Sequence, residues 1–201
     1  MANETIARPV TAIFWMLLTG LCFIAVTALV KYMGPGIPPA EMAFLRYLLG
    51  LVFLLPAVPA LQKARLTPRQ WKLFAARGFL HGLGVICWFY AMTRIPLADV
   101  TAMNYLAPIY VTLGAAFFLG ERLAFRRIAA VVVALLGALI ILRPGFREIS
   151  TGHIAMVFTA IVFGGSYLTA KVMADEVSPA VVVAMLSIFV TIVLAPFAFA
   201  H

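Results

Sequence analysis

The chain alternates between long apolar runs and short polar joints. Seven runs of about 17–23 residues have the length that a helix needs to cross the hydrocarbon core of a bilayer. They cover residues 11–32, 40–61, 73–93, 97–119, 126–143, 152–173 and 179–200. Because a backbone in lipid must satisfy its own hydrogen bonds, each run is expected to be helical. The pattern predicts an all-α fold, a polytopic transmembrane helix bundle with seven helices.

Composition agrees with a membrane protein. Of the 201 residues, 65% are hydrophobic and 11% are charged, whereas about 25% of residues in soluble domains are charged. The net charge of +8 does not indicate nucleic-acid binding, since Lys and Arg lie in the joints. The lipid bilayer is the expected partner, with no nucleic acid, and the sequence leaves open whether the protein forms a homodimer. No metal-ligand spacing or disulfide framework occurs, so neither a metal site nor a cofactor is predicted.

The distribution of basic residues predicts the orientation in the membrane. Alternate joints are rich in Lys and Arg, and such joints usually face the cytoplasm. The richer joints contain Lys63, Arg65, Arg69 and Lys72, and then Arg122, Arg126 and Arg127. We therefore expect a cytoplasmic N-terminus and, after seven crossings, His201 at the outer face.

The sequence repeats itself at an offset of about 140 residues. The informative matches are Lys31 with Lys171, Pro39 with Pro179 and Pro56 with Pro196, because apolar composition does not readily supply them. Five spans separate equivalent helices, so the second copy should enter the membrane in the opposite direction, as in the inverted repeats of secondary transporters. We expect a five-helix module at 8–146 and the first two helices of a second, inverted module at 150–201, with three further helices beyond it.

Several motifs resemble a known family. The stretch "ADVTAMNYLAPIYVTLGAAFFLGERL", residues 98–123, has small residues, a central Ala107-Pro108 and a Gly120-Glu121 ending. With Arg46 in the second span and "LLGALIILRPG" at 135–145, it is similar to the EamA-type module of the drug/metabolite transporter superfamily. The resemblance implies a ten-helix carrier of small organic molecules, in many cases an exporter, in a bacterial inner membrane. The chain departs from that pattern by lacking three helices.

Arg46 is the most unusual residue of the second span. Starting from Pro39, it lies about 10 Å along the helix at 1.5 Å per residue, inside the apolar run. One interpretation is that its side chain reaches the outer headgroups. The other is that it faces an aqueous cavity and pairs with a substrate anion or with a carbonyl. The equivalent position of the repeat is Leu186, so the fold itself does not require an arginine.

A polar stripe follows one face of the fourth span. Its members are Thr101, Asn104, Tyr105, Pro108 and Thr112. Because Asn104 is costly in lipid, we expect this face to point into the bundle, either for interhelical hydrogen bonds or as the wall of a substrate cavity. Pro108 frees a carbonyl one turn earlier, around Asn104, and so predicts a bend.

Other candidate residues lie in the first, third and sixth spans. In the third span His81 and Trp88 share a face, and Gly78 and Gly82 allow another helix to approach closely. His81 is either a packing residue or a proton-responsive group. Thr19, Ser166 and Tyr167 are either packing residues or part of the same cavity wall. Lys31 and Lys171 end equivalent spans and should lie on opposite sides of the membrane, as interface anchors or as gate residues.

The pattern favours a secondary transporter of small organic metabolites that works by alternating access between inverted repeats. A membrane enzyme is disfavoured, because no nucleophile with a base and no metal-ligating cluster occurs in the spans. A membrane protein that does not transport stays open, since the second module is incomplete. With Arg46 in a span and no acidic residue near mid-membrane, an anionic, zwitterionic or aromatic substrate is favoured over a simple cation. The sequence does not name the substrate, the coupling ion or the direction of transport.

Overall fold

The computed structural model describes residues 9–121, 124–142 and 148–200. All regular structure in these residues is helical. The α-helices are α1 Pro9–Met33, α2 Pro39–Gly50, α3 Val58–Lys63, α4 Pro68–Arg94, α5 Leu97–Asn104, α6 Ala107–Leu119, α7 Phe125–Leu142, α8 Thr151–Met173 and α9 Pro179–Ala198. The prediction of a polytopic helical bundle is therefore confirmed.

Six of the predicted spans are helices long and apolar enough to cross a membrane within the described residues. Two of these six are composite. The second span, Pro39–Lys63, consists of α2, a 3-10 segment at Leu51–Ala57 and α3. The fourth, Leu97–Leu119, consists of α5 and α6. The fifth predicted span is α7, an 18-residue helix that ends at Leu142, beside residues outside the description.

Prolines produce both interruptions. Pro108 has no N–H to donate to the carbonyl of residue 104, so the helical ladder is incomplete there. The chain tightens instead, with Tyr105 N bonded to Ala102 O at 3.2 Å and Leu106 N bonded to Met103 O at 3.0 Å. Pro56 lies inside the 3-10 segment of the second span in the same way. The helix is thus interrupted at Tyr105 and Leu106, directly before Pro108, which is where the sequence predicts a bend.

Several helix ends follow from local sequence. Thr67 and Gln70 form a reciprocal capping box at the start of α4, which satisfies two otherwise free N–H groups. Ser178 is the N-cap of α9 and Pro179 its first residue, although the Ser178 side chain makes no capping hydrogen bond. Gly120 closes α6 with φ +66°, a left-handed conformation that glycine adopts without steric cost.

The equivalent helices α1 and α8 run in opposite directions. Lys31, near the end of α1, donates to Ile95 O at 3.1 Å, directly after the end of α4. At that same end, the hydroxyl groups of Tyr90 in α4 and Thr151 at the start of α8 are 3.1 Å apart. Since α1 ends where α8 begins, these two helices are antiparallel, as the odd number of spans between them predicts.

The α4 helix lies at the centre of the bundle. It packs against α8, α9, α2 and α1. Its residues Val85, Trp88, Phe89 and Met92 join one buried core with residues of α8 and α9, a set that comprises Met156, Phe163, Val190 and Leu194. The core thus lies between the helices of the first predicted module, α1–α7, and the helices of the second, α8 and α9. We call α8 and α9 the C-terminal pair. The outer limits of the two predicted modules fall on residues outside the description.

Glycines bring α4 close to the C-terminal pair. A Cβ on Gly78 would lie 2.3 Å from Phe189 Cβ of α9, and one on Gly84 would lie 2.5 Å from Phe163 Cε1 of α8. A Cβ on Gly82 would meet Val193 of α9 at 3.1 Å. The close helix approach predicted from Gly78 and Gly82 is confirmed, and its partner is α9.

Candidate functional site

A row of polar side chains follows the buried face of α4. Arg77, His81 and Trp88 are four and seven residues apart, a spacing that places them on one face of a helix. They are only 6%, 8% and 3% exposed. The row extends for about 16 Å along the helix axis and faces the C-terminal pair. It places a guanidinium, an imidazole and an indole N–H inside the bundle.

Arg77 is the member of this row that the sequence analysis missed. Its Nη1 donates to Val182 O in the first turn of α9 at 2.9 Å, while its Nε is buried without a hydrogen-bond partner. The available signal was its position inside the predicted third span, one helical turn before His81. An arginine within an apolar run is by default a candidate for function.

His81 connects three helices. Its Nδ1 lies 3.4 Å from the hydroxyl oxygen of Ser166, and its ring stacks on Phe163 with centroids 4.6 Å apart, both in α8. Edge-to-face contacts follow with Tyr167 at 6.1 Å and with Tyr47 of α2 at 6.3 Å. The structure therefore brings the predicted residues His81, Ser166 and Tyr167 together. We call Tyr47, His81, Phe163 and Tyr167 the aromatic cluster.

Arg46 lies at the edge of this cluster. Its guanidinium carbon is 5.0 Å from the centroid of the Tyr47 ring, a cation–π distance, and its side chain is exposed. Arg46 and Arg77 are both within electrostatic range of His81. The arginine predicted from the second span therefore contacts the cluster through Tyr47 and is also accessible from outside the bundle.

Trp88 occupies the other end of the row. Its indole stacks on Phe23 of α1 with centroids 5.2 Å apart and an interplanar angle of 17°. Its Nε1–H is buried without a hydrogen-bond partner. Within the described residues, Trp88 Nε1 and Arg77 Nε are the two buried side-chain nitrogens in this condition. Such groups are rare in folded proteins and call for an explanation.

Among the described carboxylates, the buried one is Asp99, which is 2% exposed, lies in the first turn of α5 and is 3.4 Å from His153 Nε2 of α8. Glu41 lies in the first turn of α2. Glu121 directly follows α6, and the other acidic residues of the described ranges are in joints, namely Glu148, Asp175 and Glu176. The cationic groups of the row thus have no acidic residue beside them.

The polar stripe of the fourth span faces elsewhere. Thr101 and Tyr105 are exposed, and so is Pro108. With Asn104 they line two open clefts of about 480 Å³ each, one beside α1 and one, also lined by Thr112, beside α7. The expectation that this face points into the bundle was therefore wrong. The physical reason is that Thr101 and Thr112 donate to carbonyls of their own helix, at 2.8 and 2.9 Å, and so need no partner on another helix.

Thr19 and its repeat equivalent Thr159 also have different surroundings. Thr19 is exposed and donates to Trp15 O in its own helix at 2.8 Å. Thr159 is fully buried and donates to Gly84 O of α4 at 3.2 Å and to Ala155 O at 2.9 Å. The structure does not bring Thr19 to the aromatic cluster, whereas Thr159 lies at the contact between α4 and α8.

Ion pairs join the helices at one end of the bundle. Glu176, between α8 and α9, accepts from Gln70 at 3.0 Å and from Arg69 at 2.8 Å, and these bonds lower the pKa of its carboxyl. Glu121 accepts from Lys171 at 2.5 Å and from Arg127 at 3.1 Å, which lowers its pKa too. Because Lys31 bonds Ile95 O at the other end, Lys31 and Lys171 lie at opposite ends of the bundle.

Comparison with known proteins shows clear relatives. The sequence model of the EamA-like transporter family matches residues 10–143. A riboflavin transporter of Rhizobium johnstonii is 30% identical over 188 residues, which are 92% of this chain and 62% of the relative. An S-adenosylmethionine uptake transporter of Rickettsia conorii is 28% identical over 161 residues, 80% of this chain and 55% of the relative. A pseudopaline exporter of Pseudomonas aeruginosa is 31% identical over 152 residues, 74% of this chain and 52% of the relative.

The chain is shorter than these relatives and spans 52–62% of their lengths in the matched regions. No solved structure gives a significant match.

Proposed function

This chain belongs to the EamA-like transporter family, and from that premise we propose that it takes part in the transport of a small organic metabolite across a membrane. The observation that supports this most is the buried row Arg77, His81 and Trp88, between α4 and the C-terminal pair. In inverted-repeat transporters the substrate site lies between the two halves. Here a row of buried polar side chains has a comparable location, on the α4 helix that packs against the C-terminal pair.

We assign the substrate contacts to side chains of the row, of the aromatic cluster and of two residues that contact the cluster, Arg46 and Ser166. Arg46, His81 and Trp88 contact the solute from the first module, and Ser166 and Tyr167 contact it from the second. Thr101, Asn104, Tyr105 and Pro108 form a second surface in the clefts beside α1 and α7, which the solute reaches when helices separate. Thr19 has a structural role in its own helix.

Alternating access requires each end of the bundle to open in turn. The ion pairs of Glu176 with Arg69, and of Glu121 with Lys171, join different helices at one end. The hydrogen bond of Lys31 to Ile95 O joins α1 to α4 at the other end. We propose that Lys31 and Lys171 form and break these contacts as gates. By its basic joints the Lys171 end is cytoplasmic, and the protein lies in a bacterial inner membrane with its N-terminus inside.

A vesicle assay tests the proposal. The protein is expressed in a bacterial host, and right-side-out and inverted membrane vesicles are incubated with labelled riboflavin, S-adenosylmethionine, pseudopaline and a wider panel of metabolites. We expect protein-dependent accumulation of at least one compound, and the vesicle orientation that supports it gives the direction. Vesicles without the protein and vesicles with Arg77→Gln are compared. If the protein is abundant and no compound moves in either orientation, the proposal is wrong.

A further inference from the structure

We infer that the transported solute is an aromatic organic anion whose negative group binds Arg77. This inference rests on the proposed function and specifies the class of substrate. It starts from the position of Arg77, which is the tenth residue of α4 and lies about 14 Å from the start of the helix. The side chain is only 6% exposed, so the guanidinium is packed inside the bundle, against the first turn of α9.

A buried cation is stable only when an opposite charge or several hydrogen bonds compensate for the lost hydration. Arg77 has one such bond, to Val182 O, and its Nε–H is unpartnered. The described carboxylates all lie at helix ends or in joints. The nearby titratable groups that influence Arg77 are the phenols of Tyr47 and Tyr167, which are neutral near pH 7. A bound anion would therefore supply the charge that the protein lacks.

The guanidinium is suited to this role. It presents five N–H donors in a planar fork that matches the two oxygens of a carboxylate or the oxygens of a phosphate. With Nη1 on Val182 O, the Nε–H is buried and has no protein partner, so it is the donor that an anion would bond when the helices around it separate. Arg46 is within electrostatic range of the same cluster, so a second positive charge raises the local affinity for anions.

The aromatic part of the inference comes from the residues beside Arg77. His81, one turn further along α4, stacks on Phe163 at 4.6 Å and meets Tyr167 and Tyr47 edge-on. These four rings come from three helices and surround the end of the row that holds Arg77. A planar ring of the solute can take the place of one of these protein rings when the helices move. Aromatic rings attract each other in both stacked and edge-to-face arrangements, so either geometry of the solute is favourable. The cluster thus selects a flat ring attached to the anionic group.

A structural role is the competing explanation for Arg77. Its bond to Val182 O fixes the first turn of α9, and an arginine could be retained for that purpose alone. The two roles differ in one respect. A structural arginine affects the stability of the empty protein, whereas a binding arginine determines which ligands stabilise the protein.

The test uses pairs of compounds that differ only in charge. Indole-3-acetate and benzoate are anions, and indole-3-acetamide and benzamide are their neutral counterparts. The purified protein is heated with each compound at millimolar concentration, and the unfolding temperature is recorded for wild type, Arg77→Gln, Arg77→Lys and Lys72→Gln. Lys72 is an exposed cation in the first turns of the same helix, so Lys72→Gln removes the same charge without touching the row.

We expect the carboxylates to raise the unfolding temperature of wild type and Lys72→Gln more than the amides do. Arg77→Gln should lose this preference, with affinity for the carboxylate lowered roughly 10- to 100-fold, as for the loss of a hydrogen bond to a charged group. Arg77→Lys keeps the charge and should retain part of the preference. If Arg77→Gln does not fold, the comparison of carboxylate with amide in wild type still decides the question.

Equal responses to acid and amide in wild type, or no response to either aromatic acid, would overturn the inference. So would an unchanged preference in folded Arg77→Gln. Transport measured in the same preparations separates the two proposals. If a neutral metabolite is transported and Arg77→Gln transports it normally, the protein is a transporter but not an anion carrier. If carboxylates bind through Arg77 and nothing is transported, the inference of an anion site is supported and the proposed transport function is wrong.

Discussion

The imidazole ring of His81 stacks on the phenyl ring of Phe163, with centroids 4.6 Å apart and planes inclined by 20°. This contact joins α4 to α8, the first helix of the second predicted module. Directly beside it, a Cβ on Gly84 would lie 2.5 Å from Cε1 and 2.6 Å from Cδ1 of the same phenyl ring. The stack therefore exists only because residue 84 has no side chain.

Gly84→Ala should disturb this stack. The added methyl group displaces the Phe163 ring toward His81, because the ring is held between the two helices. Overpacking of a buried contact costs about 1–3 kcal/mol, and we expect a lower unfolding temperature together with at least a several-fold loss of transport. Gly50→Ala is the matched control, since a Cβ there would have no heavy atom within 4 Å. Equal behaviour of both variants would contradict the stack's importance.

Trp88→Phe tests the unpartnered indole N–H. The change removes a buried donor without a partner and retains a ring that can stack on Phe23. The smaller ring makes fewer packing contacts, which destabilises the protein, but the cost of burying an unpartnered N–H disappears. Because these effects oppose each other, the free energy of unfolding should change by less than about 1.5 kcal/mol. If the N–H binds the solute, transport should still fall several-fold. Vesicle uptake and the unfolding temperature are measured for the same variant. If transport is unchanged, the indole N–H does not bind the solute and Trp88 is only a packing residue.

Arg46→Leu separates a role in binding from an interface anchor. The equivalent residue of the repeat is Leu186, so leucine fits a second span of this fold and the protein should insert into membranes in normal amounts. We expect transport to be abolished, because the positive charge beside Tyr47 and His81 is lost. Membrane abundance and uptake are measured together, with Lys72→Gln as control. Normal uptake by the leucine variant would mean that Arg46 only reaches the headgroups.

Acid should weaken the end of the bundle that contains Glu121 and Glu176. The bonds from Lys171 and Arg127 lower the pKa of Glu121, and those from Gln70 and Arg69 lower the pKa of Glu176. A carboxyl whose pKa is lower in the folded protein stabilises the fold above its ordinary value of 4.5. That contribution is lost as the pH falls through the lowered pKa.

Unfolding temperatures between about pH 7 and pH 3 check this prediction. The wild-type protein should lose stability below the ordinary carboxyl value, and Glu121→Gln combined with Glu176→Gln should flatten this part of the curve. Glu41→Gln is the control, since Glu41 forms no ion pair with any part of the chain that the structure describes. A double variant as acid-sensitive as wild type would show that the two ion-pair groups do not stabilise this end.

The sequence predicted features that depend on local chemistry or on length. The spans follow from apolar runs, because the bilayer thickness sets the length of a crossing helix. The break at Tyr105 follows from Pro108, which lacks an N–H. The opposed directions of α1 and α8 follow from counting spans between Lys31 and Lys171. None of these requires knowing which residues of different helices meet.

The sequence could not predict which face of each helix is buried in the bundle. The stripe of Thr101 and Asn104 was expected to be internal, but threonine hydroxyls can bond to their own helix, so polarity alone does not determine the face. Arg77 escaped notice because an arginine near a span's start resembles an interface anchor. Only the packing of α4 against α9, with the bond to Val182 O, shows that it is internal. Ligand residues are therefore the least predictable part of this site.

The glycines of α4 have a mechanical consequence. Side chains that interlock between helices must change rotamers before one helix can shift past the other. At Gly78 and Gly84 the surface of α4 has no protruding groups toward α9 and α8, and Gly165 of α8 is likewise close to Leu80 of α4. The approach of α4 to α8 and α9 is therefore set at these positions by its backbone and not by a side chain that could change rotamer. The row of Arg77 and His81 is thus held at a fixed distance from both helices of the C-terminal pair.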